Sequence, residues 1–253
     1  MSETEVYRWL LRAVVVSGAL TFVTLLFLPA PYGRYARPGW GPALRASVAW
    51  ALMESPAALT FAVVFMQGPQ ATGLAAWLLF ALWEAHYIPR AFLDPWRMRS
   101  RIHRTPLAIA SMGALFNVVN ASLNAAAIVR FSPPHGPEWL LRPAALAGLA
   151  LFVIGYGTNR WADARLRALR EHEQGGYGIP RGGLYEHVAC PNYLGEIVQW
   201  CGWALLAGTA AAWTFAFFTA CNLVPRALAH RRWYLRQFPD YPPGRRALIP
   251  RLL

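Results

Sequence analysis

Residues 9–29 read WLLRAVVVSGALTFVTLLFLP, a run in which Arg12 is the single ionisable side chain. A helix rises 1.5 Å per residue and needs roughly 20 mostly apolar residues to cross a bilayer core, so this run is long enough to span. It follows the acidic Glu3 and Glu5, exceeds the length of a signal-peptide core and has no clear small-residue cleavage site, so it reads as a retained first transmembrane helix.

The same reading extends along the chain. Further apolar runs cover approximately 44–66, 73–92, 107–130, 143–159, 192–209 and 211–229, and only Gly208-Thr209-Ala210 separates the last two. Pro56 and Pro225 fall inside these runs, where neighbouring helices can re-satisfy the freed carbonyls. The composition agrees: 56% of the 253 residues are hydrophobic and 14% charged, against about 25% charged in soluble domains. A water-soluble globule is excluded on this ground. The net charge of +12 does not point to nucleic acid, because the arginines are stranded between apolar runs instead of gathered on one polar face. All 24 basic residues are arginines, which rules out a lysine Schiff base and a Walker-type phosphate loop. Cys190, Cys201 and Cys221 lack C-x-x-C spacing and read as small hydrophobes.

Arginine placement orients the spans, since arginine-rich short loops stay cytoplasmic. Twenty arginines lie between spans 1 and 2, 3 and 4, 5 and 6, and in the tail; the opposite set is Arg8, Arg12, Arg130 and Arg142. The expectation is an all-α membrane protein of seven transmembrane helices, N-terminus outside and C-terminus cytoplasmic. No internal repeat or long linker divides it, so residues 1–253 read as a single domain, with the cytoplasmic loops and C-terminal half forming a pocket.

Ionisable groups within a bilayer cost several kcal/mol and are functional candidates by default. Glu54 falls near the middle of span 2, and Glu84, His86 and Tyr87 in the cytoplasmic half of span 3. Glu54 and Tyr87 would lie at similar depth, where a carboxyl and a phenol can together polarise a carbonyl. The alternative is a helix-to-helix bond and an interfacial aromatic. Glu84 reads as structural. Asn117, Asn120 and Asn124 share one face of span 4 and either line a polar cavity or bond helix to helix.

Asn159, Asp163, Arg167 and Arg170 recur at helical steps on a helix leaving the membrane. Glycines follow in 175–183, then Cys190-Pro191-Asn192-Tyr193-Leu194-Gly195-Glu196, and after span 7 Arg226, His230, Arg231, Arg232 and Tyr234. Arginines bind phosphate bidentately and amides or carboxylates take ribose hydroxyls, so this set suits a cytoplasmic nucleotide pocket; individually, the arginines also fit positive-inside anchors. There is no G-x-G-x-x-G, so no Rossmann domain is expected. The six histidines form no metal-ligating pair, and no serine triad is present.

The chain resembles the steroid 5α-reductase family, in a bacterial form. The resemblance rests on 177–185 (YGIPRGGLY), 192–200 (NYLGEIVQW), the ending from Arg232-Trp233-Tyr234-Leu235 to Ile249-Pro250, and earlier on Glu54-Ser55-Pro56 and His86-Tyr87-Ile88-Pro89-Arg90. It implies an enzyme using NADPH to reduce the 4,5 double bond of a 3-oxo-Δ4-steroid or another lipid enone. It implies Glu54 and Tyr87 as the pair that binds the 3-keto oxygen. The implied cofactor contacts are Tyr32, Arg101, Asn159, Asp163, Arg170, Asn192, Glu196, Arg226, His230 and Tyr234; Tyr32, Arg101 and Glu196 come mainly from the resemblance. Gly178 stands where many relatives have arginine, and Met53 where animal members have glutamine. No metal is implied, and a monomer in a bacterial inner membrane is expected.

On this reading hydride reaches C5 while hydrogen bonds from Tyr87 and a protonated Glu54, in an apolar pocket, stabilise charge on O3. Competing readings are a methyltransferase of the isoprenylcysteine type, a sterol C14-reductase-like enzyme and a lipid-binding or transport bundle. The first commonly carries His-Pro-x-Tyr, where this chain has Cys190-Pro191-Asn192-Tyr193.

Overall fold

The computed structural model describes residues 1–69, 71, 73–97, 104–133, 136–173 and 176–253. Among these, seven helices are fifteen residues or longer: α1 (Glu3–Phe27), α2 (Ala46–Met66), α3 (Leu74–Ile88), α4 (Leu107–Ala126), α5 (Pro143–His172), α6 (Pro191–Ala207) and α7 (Ala210–Gln237). Each coincides with one expected apolar run. The main difference is length: α5 and α7 run well past residues 159 and 229, where apolarity ends. Arginine is a good helix former, so a charge that ends a span does not end a helix.

Local chemistry sets the ends. Ser2 and Glu5 form a reciprocal cap on α1, with bonds of 2.7 and 3.2 Å. Gly208 adopts φ +63°, which turns the chain sharply out of α6, and Thr209 Oγ1 then accepts from Ala212 N–H to cap α7. That glycine explains how so short a linker divides two helices. Past α3 the chain makes a π turn over Pro89–Leu93 and one helical turn over Asp94–Arg97. Strands β1 (Ala43–Arg45) and β2 (Arg104–Pro106) pair antiparallel, Leu44 opposite Thr105, tying the α1–α2 loop to the start of α4.

Burial runs opposite to that of a soluble bundle. Trp9, Leu20, Val23 and Phe27 of α1, Leu59 and Val63 of α2, and Met112 and Leu115 of α4 all face outward. By length and composition α1, α2 and the α4 segment to Phe131 can cross a membrane, with mean hydropathies of 2.1, 1.6 and 1.5. The other helices carry arginines or are short: α3 has 15 residues and α6 has 17.

The core is aromatic. Phe61, Trp83, Trp200 and Trp203 are fully buried; Trp83 Nε1–H donates to Ala57 O (3.0 Å) and Trp203 Nε1–H to Asn124 Oδ1 (3.2 Å). Asn117 Nδ2 donates to the Met53 carbonyl of α2 (2.6 Å) and Asn124 Nδ2 to Asn120 (3.0 Å). Asn117 and Asn124 thus bond helix to helix, while Asn120 accepts from Asn124 within α4. Helices α5 and α6 approach most closely where Gly148 and Gly155 meet Gly202 and Gly195. A Cβ on Gly148 would come within 2.6 Å of Leu206 N and 2.8 Å of Gly202 O, so backbone packs on backbone there.

Candidate active site

A cavity of about 570 Å³ opens where the ends of several helices converge, within the range of small-molecule and cofactor sites. Its wall follows from helical spacing. On the extension of α5, Asn159, Asp163, Arg167 and Arg170 share one face; on α6, Asn192 and Glu196 are one turn apart; on α7, Arg226, His230 and Tyr234 recur every four residues. All of these line the cavity, as does Tyr32 from the α1–α2 loop. Nine of the ten expected cofactor contacts therefore meet around one space. The tenth, Arg101, lies outside the described residues.

These side chains form one polar network. Asn192 Nδ2 donates to Asp163 Oδ1 (3.0 Å), and Asn159 Nδ2 donates to the Asn192 carbonyl (3.1 Å) and Glu196 Oε2 (3.4 Å). Burial pushes the Asp163 carboxyl above the ordinary aspartate range, while Arg90 and the Asn192 amide pull it back. On the opposite wall His230 lies between two phenols, Tyr35 OH at 3.0 Å from Nδ1 and Tyr193 OH at 3.0 Å from Nε2. Burial pushes Tyr35 up to about 12. The α1–α2 loop is clamped further by Arg34, whose guanidinium lies 4.5 to 5.0 Å from the ring centres of Tyr177, Trp233 and Tyr234. Arg226 sits over Tyr32 at 5.1 Å.

Asp94 gathers basic residues at another part of the wall, with a two-bond pair to Arg160 (2.6 and 3.1 Å) and Arg97 at 3.5 Å. Arg97, Arg167 and Arg170 also line the cavity, giving it a strongly cationic side.

Glu54 and Tyr87 are buried, at 7% and 4% exposure, and neither is on the cavity wall. Glu54 lies directly behind Arg90, which is on the wall: Arg90 Nε is 3.1 Å from Glu54 Oε1, and Nη2 is 3.8 Å from Glu196 Oε1. Trp50 stacks on the same guanidinium at 4.8 Å and donates to the Arg90 carbonyl (3.1 Å). Tyr87 packs among His86, Trp83 and Trp200, with ring centres 4.8 to 5.8 Å away. The apolar surroundings expected for Glu54 are thus replaced, on one side, by a guanidinium. In the sequence Arg90 reads as a positive-inside anchor, and the signal that finds it is its place one turn after Tyr87. Arg34, Tyr35 and Trp50 were equally absent from the expected site.

The C-terminal tail supports the start of α6. Arg245, 2% exposed, donates to Pro180 O (2.8 Å) and Glu186 Oε2 (2.9 Å). Glu186 also accepts from Gly182 N–H at 2.5 Å, where φ is +88°. That backbone bond, then Arg245, holds the Glu186 carboxyl below its ordinary value. Ala189 and Cys190 N–H groups donate to Arg246 and Ala247 carbonyls, fixing the turn that delivers Asn192. Gly178 is off the wall: a Cβ there would meet Leu169 Cδ1 at 3.1 Å and Glu173 Cγ at 3.2 Å. Met53 packs against Gly113 of α4.

Residues 103–253, more than half of the chain and most of the cavity wall, match the family model described as 3-oxo-5-alpha-steroid 4-dehydrogenase. The chain is 39% identical to steroid 5-alpha-reductase DET2 of Gossypium hirsutum, with 98% of each chain covered. It is 34% identical to the protein of that name from Arabidopsis thaliana, over 99% of this chain and 98% of that one. It is 37% identical to 3-oxo-5-alpha-steroid 4-dehydrogenase 1 of Bos taurus, with 93% of each covered. These relatives are plant and mammalian and lend no support to a bacterial membrane. With its outward-facing apolar helices and near full-length match, this integral membrane protein belongs to the steroid 5-alpha-reductase (3-oxo-5-alpha-steroid 4-dehydrogenase) family of oxidoreductases.

Proposed function

We propose that the chain reduces the 4,5 double bond of 3-oxo-Δ4-steroids with NADPH. We further propose that it works as a single seven-span unit, monomeric, with the N-terminus outside and the arginine-lined cavity on the cytoplasmic side. The observation that carries the reading is the cavity wall itself: a cationic side, an amide and carboxylate network, and one residue, Arg90, joining that wall to Glu54.

The residues suit a dinucleotide. Arg97, Arg167, Arg170 and Arg226 offer donors to phosphate, Asp163 and Asn192 offer acceptors and donors to ribose, and Tyr32 and Tyr193 supply ring faces. Asn159, Glu196, His230 and Tyr234 complete the proposed contacts, and Arg101 is added from the family resemblance alone. When bound, the reduced nicotinamide supplies the hydride that reaches C5.

The chain's own part is at the ketone. Glu54 and Tyr87 donate hydrogen bonds to O3, where negative charge builds as C5 accepts hydride, and a proton from solvent completes C4. Glu196, 3.8 Å from Arg90 Nη2, gives that guanidinium a second carboxylate partner beside Glu54. The buried aromatic layer of Trp83 and Trp200 excludes water behind Tyr87. An apolar steroid enters from the lipid, a charged cofactor from the aqueous side.

The test is direct. Protein purified in detergent, given NADPH and a 3-oxo-Δ4-steroid, is expected to consume the nicotinamide and add two hydrogens to the steroid. No turnover with several enones, alongside tight binding of S-adenosylmethionine, would favour the methyltransferase reading instead.

A further inference from the structure

One guanidinium serves two carboxylates that belong to different places. Arg90 is held 3.1 Å from Glu54 on α2 and 3.8 Å from Glu196 on α6, and the three side chains are 17%, 9% and 13% exposed. Glu196 and Arg90 line the cavity; Glu54 does not. Arg90 belongs to the π turn over Pro89–Leu93 that follows α3, and its contacts with Glu54 of α2 and Glu196 of α6 put it between those helices. Trp50 holds the guanidinium plane from the side without competing for its donors.

With little water to screen them, two negative groups compete for one positive group, and whatever engages Arg90 changes how firmly Glu54 is held. We infer that Arg90 is a positioning residue that couples occupancy of the cavity to the readiness of Glu54 to bind a ketone. The inference rests on the reading of the cavity as a dinucleotide site and of Glu54 as a ketone ligand. An anionic or acceptor group entering the cavity draws the guanidinium away from Glu54. The Glu54 carboxyl, no longer held by the guanidinium, is then free to turn to the ketone oxygen. By linkage the effect is reciprocal: the ketone ligand tightens the cofactor by the same factor.

The experiment measures steroid affinity with and without saturating NADP⁺, which fills the cavity and supplies no hydride. In the wild type NADP⁺ is expected to tighten steroid binding at least about fivefold, the low end of typical coupling between sites. Arg90→Gln removes the shared charge; with NADP⁺ raised until the variant is saturated, the coupling is expected to fall within about twofold of none. Arg90→Lys keeps the charge as a single point contact without the planar fork and is expected to fall between the two. This graded rescue separates positioning from folding, because a structural role alone would not order the coupling by side-chain geometry. Wild-type coupling in either variant, or none in the wild type while both ligands bind, would overturn the inference. Failure of the wild type to bind NADP⁺ at all would overturn the dinucleotide reading, and this inference with it.

Discussion

The contact of α5 with α6 predicts a large effect from one methyl group. Gly155 faces the backbone of α6, and a Cβ built on it would meet Gln199 N and, at 2.5 Å, the Gly195 carbonyl oxygen. Ordinary contact begins near 3.4 Å, so Gly155→Ala must part the helices by about 0.9 Å at that point; neither neighbour is a flexible side chain. One turn away Asn159 Nδ2 bonds the Asn192 carbonyl at 3.1 Å, and that bond does not survive such a shift. Overpacking costs about 1–3 kcal/mol and a buried polar group left unmatched about 1–3 more. At roughly 2–4 °C per kcal/mol for a chain of this size, the melting temperature in detergent is expected to fall by about 4 °C or more. Turnover is expected to drop as well, since misplacement of about 1 Å can cost on the order of 100-fold. Gly157→Ala is the internal control. Its Cβ would meet nothing within 4 Å, and alanine is the better helix former, so the variant is expected to melt at or slightly above the wild type. Equal melting temperatures for Gly155→Ala and Gly157→Ala would refute the claim that bare backbone contact holds these helices.

The other predictions concern chemistry. Glu54→Leu and Tyr87→Phe each remove one donor to O3 and are expected to lower kcat by about 100- to 1,000-fold, worth about 2.7–4 kcal/mol; Tyr87→Phe is expected to leave the melting temperature nearly unchanged, whereas Glu54→Leu also removes a partner of Arg90 and lowers it; wild-type turnover in both variants defeats their assignment. Arg170→Ala is expected to raise the KM for NADPH on the order of tenfold or more and to leave the steroid KM within about twofold; the opposite pattern contradicts the cofactor map. Glu186 has a folded-state pKa held below its ordinary value by the Gly182 N–H and Arg245, so its stabilisation is present at neutral pH and fades as pH falls through the folded value. The melting temperature of Glu186→Gln is therefore expected to lie below wild type at pH 7 and the gap to narrow as pH falls below the ordinary glutamate value of about 4.3; a gap that stays constant as the pH is lowered removes Glu186 from the account.

The legible and illegible parts of the chain divide by physical cause. Apolar runs reveal lipid-facing length, so all seven long helices were readable, and Gly208 marked a real break. Helix length beyond the lipid was not readable, because α5 and α7 continue through arginine-rich sequence that favours helix as well as apolar sequence does. The cavity residues on α5, α6 and α7 were readable because they recur at helical spacing within single helices. Arg34, Tyr35 and Arg90 were not, because their meaning comes from groups far along the chain. Arg34 is an unremarkable loop arginine until Tyr177, Trp233 and Tyr234 surround it, and Arg90 a membrane anchor until Glu54 and Glu196 meet it. The asparagines of α4 left two readings open because a polar face looks the same in sequence whether it meets solvent or another helix; Met53 and Trp203 decide it.

The central claim is that hydride passes from a cofactor in the arginine-lined cavity to the carbon beta to a ketone held at Glu54 and Tyr87. The most direct test gives the purified protein NADPH carrying deuterium at the transferable C4 position and locates the label in the reduced steroid. The account predicts one deuterium at C5 and an unlabelled hydrogen at C4. A saturated product with the label elsewhere, or without label, would contradict it.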